Sequence, residues 1–191
     1  MKSLRRGPLV YVPIIVMGSV IQAVLVVGDP VPTTTWSFAA RVLVSASVLV
    51  LVLWLTIGFA AHTDAGFSPR LLLAVTVAVL CAIVVGILNP ILALLVALIS
   101  LPVLSAAAAG PVKAVTRTIT FAPIRTVLGL TGSAVLIIVN VVAGLLLGFF
   151  VTGVVAAAIT WLVFGISATI LATHWASLHR RAQSTRPQQQ R

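Results

Sequence analysis

Acid is what this sequence most nearly lacks. Asp29 and Asp64 are the only carboxylate side chains among 191 residues, against twelve Lys and Arg, and 7% of the chain is charged. Soluble domains carry charge on about a quarter of their residues, so water is not the main solvent of this chain. Cysteine is nearly missing as well. Cys81 stands alone inside an apolar run, which excludes an intramolecular disulfide and leaves the thiol as a small packing group. No phosphate-cradling Gly-x-x-x-x-Gly-Lys-Ser/Thr loop, dinucleotide glycine fingerprint, His-Glu-x-x-His pair or Gly-x-Ser-x-Gly elbow occurs. The commonest nucleotide, zinc-hydrolase and acyl-transfer machinery is therefore not written here.

What is present is apolar. Hydrophobic residues make up 61% of the chain, and the mean hydropathy is +1.25. They fall in runs of about twenty, the length that crosses a hydrocarbon core roughly 30 Å thick. The runs predict an all-α polytopic integral membrane bundle of about six transmembrane helices, near 9–27, 38–61, 71–88, 91–109, 126–148 and 152–175. Residues 1–179 would form this single membrane domain. Residues 180–191, rich in Arg, Gln, Ser and Pro, would be a disordered basic tail. Asn89-Pro90 divides the third run from the fourth, and the segment from Gly148 to Gly153 divides the fifth from the sixth. The basic start before the first run has the look of a secretory leader. That run is long enough to span, however, and no small-x-small cleavage site precedes Asp29.

A net charge of +10 raises the question of nucleic acid, but cations scattered between lipid-spanning runs are better explained by the positive-inside bias. With Lys2, Arg5 and Arg6 in the cytoplasm and the sides alternating, Arg70, Lys113, Arg117, Arg125, Arg180, Arg181, Arg186 and Arg191 fall inside as well. Only Arg41 falls outside. Both termini are thus expected in the cytoplasm, with almost nothing presented on the other face. Arg far outnumbers Lys, and Ala, Val and Leu dominate, as in a GC-rich bacterial genome, so the expected location is a bacterial inner membrane.

Titratable groups are too few for easy catalysis. His62, Asp64, His174 and His179 are expected on the inner side and are competent ligands or acid-base groups. Yet His62 and Asp64 sit in a loop, and five residues separate His174 from His179, which does not stack them on one helical face. None of the runs holds an intramembrane carboxylate of the kind that relays protons. Asn140 and Gln22 are the most polar groups within the runs and are either helix-to-helix glue or substrate ligands. Gly144 and Gly148 form a small-x-x-x-small pattern on the same helix as Asn140, which allows close packing within the bundle or between copies. Asp29 and Arg41 are candidates for an ion pair closing the first outer loop.

Lys113, Arg117 and Arg125 lie four or eight residues apart in the largest inner connection and offer a stripe for anionic lipid or for an acidic partner such as a cytoplasmic ATPase. Trp36, Trp161 and Trp175 fall near helix ends as interfacial anchors, whereas Trp54 lies deeper. A short echo, Phe67-Ser68-Pro69-Arg70 and Phe121-Ala122-Pro123-Ile124-Arg125, precedes the third and fifth runs and is either an internal repeat or a coincidence of helix starts. In helix number, length and scant outer loops the chain resembles in outline the membrane-embedded substrate-binding subunits of energy-coupling-factor vitamin transporters. That likeness is one of architecture. The expected function is a non-enzymatic membrane protein without a cofactor, either a small transporter or a permease-type or accessory subunit, with homo-oligomers as one form. The competing class is a small membrane enzyme using the inner His and Asp residues.

Overall fold

A computed structural model describes residues 8–28, 35–61, 67–109, 119–120, 122–151 and 153–184. Its elements are helical throughout: a 3-10 turn at Pro8–Val10, then α1 (Tyr11–Leu25), α2 (Trp36–Ala61), α3 (Pro69–Leu88), α4 (Pro90–Ala109), α5 (Pro123–Phe150) and α6 (Gly153–Ser184). Five of these are long and apolar enough to cross a membrane, and α1 is the shorter sixth. The protein is a multi-pass helical membrane bundle.

Local chemistry sets the breaks. Ser68, extended before α3, accepts the Leu71 N–H on its hydroxyl at 3.3 Å, and Pro69 occupies the first turn, where its missing N–H costs nothing. Asn89 is extended between α3 and α4, and its Oδ1 accepts from the N–H groups of Ile91 (2.9 Å) and Leu92 (3.3 Å). The Asn-Pro pair thus ends one helix and caps the next, as expected from sequence. Gly153 opens α6 at φ +66°, a conformation that favours glycine. All helix ends but one lie within three residues of the hydropathy runs, the small offsets arising because a run marks lipid-matched length rather than the last hydrogen bond. The largest difference is at α6, which continues through Arg180 and Arg181 to Ser184, so the first residues of the expected tail are helical; residues 185–191 lie outside the described set.

α6 is the central helix and borders α1, α2, α4 and α5. Its sequence permits this, since Ala168, Ala172 and Ala176 recur every four residues and are buried. Small residues in such a row let helix backbones approach, and van der Waals contact drives association where lipid supplies no hydrophobic force. The main cluster of buried side chains lies toward one end of the bundle. Ile57, Ala60 and Ala61 end α2, Leu71 and Val75 begin α3, Leu104 and Ala108 end α4, and Ala172 and Ala176 lie in the second half of α6; all belong to one buried cluster. Arg180 donates to the Ala60 carbonyl there, and the His179 Nε2 lies 3.1 Å from the Pro102 carbonyl. Helix ends therefore alternate, and Arg70, Arg125, Arg180 and Arg181 gather at this end while Arg41 sits at the other.

Trp175 departs from expectation. It is 2% exposed and packs inside the bundle rather than anchoring at an interface, because the continuation of α6 carries the helix end well beyond it. Trp36, 92% exposed at the start of α2, keeps an anchor's position.

Candidate functional site

α5 borders only α6 and, sparsely, α4 among the described elements. Between α5–α6 on one side and the α3–α4 hairpin on the other, with α2 as floor, lies a cavity of about 450 Å³. Five helices contribute walls, chiefly Leu, Ile, Val and Ala. Its described lining contains no charged side chain, and its polar members are Ser100, Asn140, Thr160 and Ser167. The volume falls within the roughly 300–1,000 Å³ of small-molecule pockets, which are commonly apolar with a few polar groups.

Asn140 is the centre of the site's polarity. Its Nδ2 donates to the Leu136 carbonyl one turn back at 2.7 Å and to the Ser167 hydroxyl of α6 at 2.8 Å. The carbonyl contact fixes which amide atom is nitrogen, since a carbonyl only accepts. Both N–H groups are thereby used, and Oδ1 makes no hydrogen bond among the described residues. Ser167, 8% exposed, accepts from Asn140 and has its own O–H still to give. Asn140 thus bonds α5 to α6 and lines the cavity at once.

Gln22 is different. Its Nε2 donates to the Ser45 carbonyl at 3.0 Å, and the Ser45 hydroxyl donates to its Oε1 at 2.8 Å. This reciprocal pair clamps α1 to α2 and lies outside the cavity lining. Gly144 faces Thr160 of α6 at ordinary contact distance, 3.6 Å from where a Cβ would stand, whereas Gly148 faces open space. The close helix approaches lie elsewhere, at Gly18 against Val52 and Gly165 against Ile15. Gly165, three residues before Ala168, continues the face of small residues in α6, which is the signal in the sequence that could have found the second of these.

The remaining candidates do not converge. His174 is exposed and its ring lies against Gly129, while His179 is 1% exposed and bound to the Pro102 carbonyl. His62 and Asp64 lie outside the described residues, and among those described no group of three metal-ligating side chains forms. Arg41 Nη1 donates to the Leu25 carbonyl at 3.4 Å, capping the end of α1; Asp29 lies outside the described residues. So do Lys113 and Arg117, whereas Arg125 stands exposed in the first turn of α5. The chain matches no protein-family model, no curated protein and no solved structure.

Proposed function

We propose that the protein is a non-enzymatic membrane protein that holds a small molecule within the bilayer, either as a small transporter or as the binding subunit of a transport complex. The observation that supports the reading is the cavity of about 450 Å³ lined by five of the six helices. A charge-free wall favours holding a neutral molecule over acid-base work, because an ionised group there would lose several kcal/mol of hydration without an opposite charge to offset it. A stoichiometric membrane protein or ATPase recovered by mass spectrometry from native membranes in mild detergent is the expected result for a subunit. A chain that purifies alone with a catalytic turnover lost on His174→Ala would overturn the reading in favour of an enzyme.

The basic end is assigned to the cytoplasm, with both termini there and the protein in a bacterial inner membrane. Four of the five described cations gather at that end, in keeping with the positive-inside bias. The exposed Arg125 and its neighbours Lys113 and Arg117 then face anionic headgroups or a cytoplasmic partner. Reporter fusions after Gln190 and near Thr118 are expected to read cytoplasmic and one near Thr33 external; an external C-terminus would contradict the assignment.

A further inference from the structure

We infer that the molecule held in the cavity is a neutral, largely apolar alcohol, with its hydroxyl placed at Asn140 and Ser167 and its hydrocarbon body among the Leu, Ile and Val side chains. The inference rests on the binding role proposed above and adds the chemistry of the ligand. Three features of the site select it. No charged side chain lines the described cavity, so an ion or a fatty-acid carboxylate would enter without a counter-charge. The rest of the lining is Leu, Ile, Val, Ala and Phe from five helices, which suits a hydrocarbon body.

The third feature is the pattern of free hydrogen-bonding atoms. Asn140 has spent both N–H groups and offers an acceptor, Oδ1; Ser167, bonded to Asn140 at 2.8 Å, offers a donor. A hydroxyl gives one hydrogen bond and takes another, so a single alcohol oxygen satisfies both. A ketone or ether could use only the Ser167 donor, and a plain hydrocarbon neither. In hydrocarbon surroundings an unpaired amide oxygen is costly, which gives the site its preference for a hydroxyl. Access is lateral from the bilayer, through the side where α4 and α5 scarcely touch.

The test is photolabelling in lipid nanodiscs with a long-chain primary alcohol carrying a diazirine on its tail, mapped by peptide mass spectrometry. Competitors are hexadecanol, hexadecyl methyl ether and palmitate. Labelling is expected to saturate on the cavity-facing parts of α5 and α6. Hexadecanol should compete about three- to tenfold better than the ether, the effect of roughly one net hydrogen bond, and palmitate less well than hexadecanol. Asn140→Leu and Ser167→Ala should each narrow the gap between hexadecanol and ether, and Ser167→Ala serves where Asn140→Leu fails to fold. Saturable labelling with equal competition by the ether would overturn the alcohol assignment and leave a binding cavity. Unsaturable labelling spread over all lipid-facing helices would overturn the binding role itself.

Discussion

Gly165→Leu is expected to destabilise the detergent-solubilised bundle by about 3 kcal/mol, the upper end of overpacking costs, and to release α1 from α6. A Cβ at Gly165 would stand 2.7 Å from Ile15 Cγ2, 3.2 Å from Cγ1 and 3.4 Å from Cβ. The whole β-branched side chain blocks it, and such a side chain has few rotamers in a helix with which to move aside. Once the helices part, little pulls them back. Lipid tails are as apolar as the packed side chains, and a gap of half to one ångström already forfeits a quarter to a half of each contact. The same change at Gly144 should cost less, because the neighbouring Thr160 methyl is 3.6 Å away, and at Gly148 it should cost least. Thermal aggregation of the three variants gives the ranking. Ile15→Ala should recover most of the loss in Gly165→Ala, and a double-mutant cycle without such coupling would show that the contact is not the cause.

The second large effect is expected at Trp175, which joins α6 to the start of α5. The side chain is 2% exposed, and its Nε1 donates to Ser133 Oγ at 3.1 Å. A Cβ on Gly129 would meet the indole at 3.3 Å, tighter than ordinary contact, so the glycine makes room for the ring. Trp175→Ala leaves a void that the row of alanines around it cannot fill, at a cost of about 3 to 5 kcal/mol. Ser133 does not become an orphan, since its hydroxyl already donates to the Gly129 carbonyl at 2.7 Å; the loss is one of packing. Trp175→Phe should therefore recover most of the stability. Hydrogen exchange should rise first in the N-terminal half of α5, and an increase confined to α1 would contradict this placement.

The six helices were legible in the sequence because membrane length is a constraint on every run separately, and because Asn89-Pro90 and Gly153 use chemistry that acts within a few residues. The cavity was not legible. It is a property of which helices fail to touch, and hydropathy reads lipid-facing and cavity-facing leucines alike. Asn140 was found by its cost in lipid, yet its role depended on Ser167, twenty-seven residues away and one of many serines in the chain. Gly144 and Gly148 matched a packing pattern without lying at the tightest packing, because the pattern states what a face allows and not what stands opposite. Trp175 was misplaced for a simpler reason: the charged residues that follow it suggested a helix end, while the backbone continued to Ser184.

The most direct test of the cavity as a binding site is native mass spectrometry of the chain released from lipid nanodiscs, compared with an Ala97→Trp variant that fills the wall contributed by α4. The wild type is expected to carry about one neutral organic molecule per chain and the variant none, with both equally stable to heat. Equal occupancy in the two, or a wild type carrying only bulk phospholipid, would contradict it.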